Sequence, residues 1–394
     1  MIKEKKKIII DLLYSIGATG LMNVVIQFVV YPLVNRQIGE SGFGNMLFWM
    51  GVVSIFAPSY GLAVNNTRLV FPEREKTSNR DYLEILSLFA LISVAVVLVL
   101  CIFQNSGIVG SCALIYIMVI SVFRNYSTVE YRLNLNYKKQ FMFYLFLSVG
   151  YVLGTIICMF TNTWFGTFII GETVAILYVA LTGGIYDLKK KSTIYRRVLG
   201  KKCLILALAY LLTNLMLNLD RIILKYGVSD EAVSQYYVLS LLGKTIAIIG
   251  GPLSSVIIGY LSKDNYQLNR KEFGKIVGAM VIVGSVFLTI TSIVTPVFIK
   301  ILYPNLYAGI KGLNVIINAA QIFYFLTTLL LVIVLTVCDT KWQLRIQISY
   351  SGLFLITAIV FTMWGGLKGF AVAAFVSNIC YFIGTFFVGM RFAK

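Results

Sequence analysis

Histidine is absent from this chain. That gap alone removes Ser-His nucleophiles, histidine general bases and histidine-ligated metal. Acids are scarce as well, 16 against 34 Lys and Arg, and charged residues make up only 13% of the sequence. An ordinary soluble domain carries about 25%. The six cysteines, Cys101, Cys112, Cys158, Cys203, Cys338 and Cys380, form no CxxC and lie in or at the ends of apolar runs. Cysteine there is a small buried hydrophobe rather than a disulfide or metal ligand. Long polar loops are missing too. The longest, near 64–81 and 187–202, have no room for a soluble domain, so the work of this chain is expected inside a membrane.

Hydrophobic residues fill 59% of the chain, and apolar runs recur from end to end. A run of about twenty crosses a hydrocarbon core. The pattern predicts an all-α polytopic membrane protein of twelve transmembrane helices, at 8–34, 43–63, 82–103, 111–131, 141–160, 166–186, 203–225, 234–261, 276–299, 312–337, 344–364 and 369–390. Most lysines and arginines fall in alternate loops, on the side of Lys3–Lys7, 68–80, 132–139, 189–202, 263–275, 341–345 and the last residues. The other side holds Arg36, Arg221, Lys225, Lys300, Lys311 and Lys368. The positive-inside rule then puts both termini in the cytoplasm. The same rule accounts for the net charge of +18, which in a soluble protein would suggest nucleic acid, so no nucleic-acid partner is expected. MIKEKKKIIIDLLYSIGATG imitates a signal peptide. Asp11 interrupts its apolar run, however, and the run continues to Val34, so an uncleaved first helix is expected.

The basic stretch DLKKKSTIYRRVLGKK divides the spans six and six. It gives an N-terminal lobe at 1–186, a linker at 187–202 and a C-terminal lobe at 203–394. Leu188, Tyr195, Val198 and Leu199 are spaced like the apolar edge of an interfacial helix that touches anionic membrane lipids. The two lobes echo each other. Thr19, Asn23 and Gln27 in the first helix match the four-residue spacing of Asn214 and Asn218 in the seventh. Six spans per lobe make this a parallel repeat, and transporters so built bind substrate between the halves. Amides in membrane helices also serve as plain interhelical glue.

Charged residues inside spans are the candidate site. Tyr210, Asn214, Asn218, Arg221 and Lys225 fall within about 80° on one helical face. Lys244, near the middle of the eighth span, shares a face with Ser240, Ala247, Gly251 and Ser254. Either an acid pairs with its ammonium or an anionic guest does, and Glu172 is the acid expected to reach it across helices. Arg124 stands towards the cytoplasmic end of the fourth span beside Ser121, Thr128 and Tyr131. It lines a cavity, snorkels, or pairs with Glu130. Glu172, in the sixth span, is a candidate to carry a coupling ion, H+ or Na+, to pair with a cation, or to reach the outer interface. Asp220 is read first as the charge partner of Arg221 and second as an ion carrier. Gly250, Gly251 and Pro252 predict a kink in the eighth span. No cofactor or metal is expected.

Several stretches together resemble a known family. NLDRIILKYGVSDEAVSQYYVLSLLGK followed by PLSSVIIGYLS is similar to the start of the C-terminal lobe of bacterial polysaccharide flippases of the Wzx type. ILYPNLYAGIKGLNVIINAAQIFYFLTTLLLVIVLTVCDTKWQLR resembles the later part of that lobe, and RQIGESGFGN the first hairpin of the N-terminal one. This family shares the MOP superfamily with MATE multidrug exporters and lipid II flippases. The resemblance implies a MATE-like V of two six-helix lobes that flips an undecaprenyl-pyrophosphate-linked oligosaccharide repeat unit to the outer leaflet by alternating access, without ATP. It also implies partner proteins, a polysaccharide polymerase and a chain-length regulator. Arg124, Lys244 and the Asp220-Arg221 pair occupy matching contexts. The chain is short for the group, and twelve spans do not match the fourteen of lipid II flippases. The alternative is a MATE-like, ion-coupled exporter of cationic drugs, which calls for buried acids, whereas the mid-membrane charges here are basic. A glycan polymerase or glycosyltransferase needs a large outer loop that this sequence lacks.

Overall fold

The computed structural model describes residues 2–261, 269–307, 312–334, 338 and 340–392. About 90% of the described residues are helical, and no strand occurs among them. Nine helices among them are long and apolar enough to cross a membrane, which makes this a multi-pass membrane protein. Two of the nine, Leu13–Val70 and Lys341–Phe392, run for 58 and 52 residues, far more than one crossing needs. Each contains one glycine outside helical geometry, Gly39 with φ +74° and Gly366 with φ +55°. A side chain would be strained at such φ values and glycine is not, so the turn expected in RQIGESGFGNM comes down to a single residue.

The chain divides into two compact units, 1–219 and 220–394, with the boundary inside one helix. The first unit contains α1 (Ile2–Val24), α2 (Tyr31–Val70), α3 (Asn79–Gln104), α4 (Gly107–Ser127), α5 (Val129–Leu133), α6 (Tyr137–Thr161) and α7 (Phe165–Thr182). It also takes in most of α8 (Arg196–Gly227). The second contains the end of α8, then α9 (Asp230–Leu261), α10 (Arg270–Leu302), α11 (Asn314–Val334) and α12 (Thr340–Phe392). The expected kink around Gly250–Pro252, and Ser254 with it, fall in the part of α9 whose side chains lie outside the described residues.

Helix ends follow local chemistry. Ser78 and Asp81 form a reciprocal capping box at the start of α3, Asp81 Oδ2 accepting from Ser78 N at 2.8 Å. Asn269 and Glu272 do the same for α10. Each box satisfies two amides that a helix start leaves without partners. Between α1 and α2 the backbone runs through a π-helical segment, Val25–Val30. Pro32 stands two residues beyond it, and a proline lacks the amide that would bond four residues back, so the ladder slips there.

Cores form around one central helix in each unit. In the first, α2 is buried along most of its length, with Val34, Phe43, Met46, Leu47, Ala63 and Val64 fully enclosed. In the second, α11 supplies Ile322, Phe325, Leu326, Leu329 and Leu330, packed on Phe273 and Val277 of α10 and Phe382 of α12. Outward residues such as Ile102, Phe103 and Leu181 are highly exposed and apolar, as a surface facing lipid tails should be.

The linker departs from the sequence reading. Residues 187–195 form no helix; they lie as an irregular strap along the first unit. Thr193 N and Oγ1 donate to the two oxygens of buried Asp81 at 2.7 and 2.8 Å, and Asn79 Nδ2 donates to the Gly184 and Asp187 carbonyls. These side chains compete with helical hydrogen bonds for the same backbone. Leu199, expected on an interfacial edge, is fully buried in α8.

Candidate functional site

Among the described residues, a pair forms between charges well inside the helices of each unit, and neither pairing is the one expected from sequence. In the first unit Arg124 Nε donates to Glu172 Oε2 at 2.6 Å. Tyr151 OH donates to the other oxygen, Oε1, at 2.8 Å. Glu172 is 2% exposed and Arg124 15%. Three helices, α4, α6 and α7, thus meet on one carboxylate.

Glycines permit that meeting. A Cβ on Gly171 would stand 2.2 Å from the Tyr151 ring, so only glycine lets the tyrosine lie beneath Glu172. Gly150 and Gly154 face the backbone of Gly171 and of Gly166–Thr167 at 2.5–2.8 Å from a hypothetical Cβ. The GYVLG stretch is therefore a GxxxG seam that brings two membrane helices into backbone contact. The GxxxG spacing is visible in the sequence.

Glu130, the other candidate partner of Arg124, instead accepts from the Gly184 and Ile185 amides at 3.1 Å and fastens the end of α7. The helix ends explain both choices: Glu130 sits at a turn with the bare amides of Gly184 and Ile185 nearby, while Arg124 stands further into its helix beside Glu172.

A second polar cluster in the first unit was missed. Gly61 lets α2 approach α4, its hypothetical Cβ standing 2.5 Å from Asn125 Cβ. One turn on, fully buried Asn65 donates to the Asn125 and Tyr126 carbonyls and to Thr128 Oγ1. Arg132 Nη1 donates to Asn65 Oδ1 at 2.9 Å and Asn66 Oδ1 at 3.0 Å. Arg68 bonds Tyr126 OH and Asn79 and stacks 4.8 Å over Tyr82. The sequence pattern places Arg68 and Arg132 among the loop charges. The paired asparagines in NNTRL were the available signal.

In the second unit Lys244 Nζ donates to Asp220 Oδ2 at 2.6 Å, with side chains 34% and 10% exposed. Asp220 therefore belongs to Lys244, not to Arg221, and Glu172, expected to pair with Lys244, is engaged by Arg124 and Tyr151 of its own unit. The correction is geometric: consecutive residues point about 100° apart on a helix, so Asp220 and Arg221 leave their axis on different sides. Lys244 also stands 5.7 Å from the centre of the Tyr236 ring, whose hydroxyl accepts from Gln321 Nε2 at 3.2 Å. Gly243 makes room for Gln321 and Asn318 of α11. Asp220 Oδ1 is buried without a hydrogen-bond partner among the described residues. Arg221 lies over the Tyr237 ring at 5.6 Å, and Lys225 pairs with Asp230 at 2.5 Å.

The amides of the predicted stripe divide. Asn214 Nδ2 donates to Ser59 Oγ at 2.9 Å, and Asn218 Nδ2 to the Asn214 carbonyl at 2.9 Å. Tyr210 OH accepts from Asn66. Asn23 and Gln27 are half-buried at the end of α1 and in the π-helical segment. No group of three His, Cys, Asp or Glu able to hold a metal occurs among the described residues.

No family model matches this chain, and no curated protein matches it in sequence. Solved structures do. The lipid II flippase MurJ in its inward closed conformation aligns with TM-score 0.65 at 14% identity, covering 95% of this chain and 87% of that one. An inward-facing multidrug resistance MATE family transporter of the MOP superfamily aligns with TM-score 0.59 at 14% identity, covering 94% of each. The outward-facing form of such a transporter gives 0.56 at 15%, covering 97% and 94%. Over nearly its whole length, this chain has the fold shared by MATE transporters and the lipid II flippase MurJ.

Proposed function

We propose that this protein is an alternating-access flippase, not an enzyme, that moves an undecaprenyl-pyrophosphate-linked oligosaccharide from the inner to the outer leaflet of a bacterial cytoplasmic membrane, as flippases of the Wzx type do. The observation that carries this reading is the balance of charge within the helices. Both candidate acids, Glu172 and Asp220, are already matched by a cation of their own unit. Beyond those pairs, Arg68 and Arg132 bond only tyrosine and amide oxygens among the described residues, which leaves a positive surplus. A drug cation needs an uncompensated carboxylate, and a pyrophosphate needs partly hydrated cations. Lys244, one-third exposed beside a buried acid, is the residue best fitted to exchange its carboxylate for a phosphate. Arg124, enclosed with Glu172, is the least fitted. Asn23, Gln27, Asn214, Asn218 and Arg221 remain candidates for glycan contacts.

Twelve crossings with both termini in the cytoplasm are part of the proposal. In support, Gly39 and Gly366 interrupt the two over-long helices, and α9, at 32 residues, is long enough for a further crossing. Asp220, with one unpartnered buried oxygen, is the better candidate than Glu172 for a coupling H+ or Na+. Partnership with a polymerase and a chain-length regulator belongs to the same reading.

The test is complementation. In a strain lacking its own oligosaccharide flippase, this chain should restore surface glycan and leave susceptibility to cationic drugs unchanged. Raised drug resistance without glycan would establish the exporter instead. Cysteine labelling of intact cells, on a cysteine-free background, should modify position 305 and spare position 193; the reverse would invert the topology.

A further inference from the structure

At the basic end of α3 the first unit carries a groove of about 550 Å³. Its apolar part includes Leu88, Leu91 and Leu188, each more than half exposed. Its rim is Arg80, Glu84 and Arg196. Arg80 Nε donates to Glu84 Oε1 at 2.9 Å, and Arg196 Nη1 makes an ion contact of 2.8 Å with Oε2. Neither guanidinium has another hydrogen bond or ion pair among the described residues. Each carries five N–H donors, so one carboxylate orients two arginines and leaves most of their donors unengaged.

The groove is prebuilt. Asp81, fully buried, caps α3 and holds Thr193, and that contact fixes the strap that delivers Leu188 and Arg196. Two guanidiniums against one carboxylate leave a net positive rim, and Lys189, Lys190, Lys191 and Arg197 follow on exposed positions of the strap and α8. The apolar part continues onto the lipid-facing flank of α3, where Ile92, Leu98 and Val99 are also exposed.

We propose that this groove is a binding site for an anionic phospholipid. The phosphate would lie across Arg80 and Arg196, whose planar forks match its oxygens. One acyl chain would run down past Leu188, Leu88 and Leu91. A free phosphate would use the rim and leave the leucines uncovered; a zwitterionic lipid would use the leucines and bring a cation to a positive rim. A lipid in this place ties the strap to α3 from the bilayer side.

The experiment is native mass spectrometry of the full-length protein in detergent, titrated with phosphatidylglycerol or with phosphatidylcholine of the same chains. Phosphatidylglycerol is expected to be retained about tenfold better, a preference that Arg80→Gln with Arg196→Gln removes. Leu88→Trp, which fills the groove and keeps both guanidiniums, should also remove it. It decides the matter if the double variant does not purify. Lys271→Gln, at an exposed cation of the second unit, should retain the preference. Equal retention of the two lipids, or equal loss in Lys271→Gln, would overturn the site in favour of diffuse attraction. Displacement of phosphatidylglycerol by millimolar inorganic phosphate would overturn the lipid in favour of a bare anion site.

Discussion

Arg124–Glu172 in the first unit and Lys244–Asp220 in the second are both ion pairs between mid-helix residues, and the two are built differently. Arg124–Glu172 is sealed: both carboxylate oxygens are engaged, three helices converge on it, and glycines bring those helices to backbone contact. Lys244–Asp220 is open: one carboxylate oxygen has no partner among the described residues, and the lysine is one-third exposed beside an aromatic face. The first has the construction of a staple. The second has a cation that an anionic guest can compete for, because its partner shares it with nothing else. Charge alone does not distinguish them; the number of contacts left unmade does.

The largest effect should come from breaking the staple. Arg124→Met leaves Glu172 buried and unpaired, at a cost of about 3–5 kcal/mol, so membrane levels measured by fluorescence-detected gel filtration should collapse. Adding Glu172→Gln should restore them. Next comes the helix seam. Gly171→Ala places a methyl inside the Tyr151 ring and should cost about 1–3 kcal/mol in thermal unfolding. Gly243→Ala, which meets the movable Gln321 side chain at 2.6 Å, should cost less. Equal penalties would erase the distinction between a rigid seam and an adaptable one.

Lys244→Met should destabilise by about 1–2 kcal/mol, between the ranges for exposed and enclosed pairs, and abolish transport in a protein that still reaches the membrane. Lys244→Arg keeps the charge and loses the compact ammonium, so it should retain part of the activity. The smallest change is Tyr236→Phe. It removes the hydroxyl that accepts from Gln321, worth about 0.5–1.5 kcal/mol, and should weaken glycan display modestly without altering protein level.

The membrane helices were legible because hydropathy is a local property: twenty apolar residues declare themselves wherever they fold. The two glycine breaks lie where turns were expected, in 35–42 and near 366. Ion pairing was not legible. Asp220 stands 24 residues before Lys244, and Glu172 stands 48 after Arg124. Each pairing depends on how helices rotate and approach, which no single-helix periodicity contains. The nearest available clue was the glycine pattern, Gly150-Gly154 against Gly166-Gly171, which marks the helices that touch and hence the acid within reach. The linker failed for a different reason. Its apolar spacing fitted an interfacial helix, but Asp81, more than one hundred residues away, holds its backbone in another shape.

The central claim is that the cation of the second unit serves the guest, not the fold. It is tested most directly by surface glycan in a flippase-deficient strain expressing Lys244→Met with Asp220→Asn, normalised to membrane protein level. That double variant removes both charges and leaves no stranded carboxylate, so it should accumulate like the parent and display no glycan. Full glycan display from it would contradict the claim.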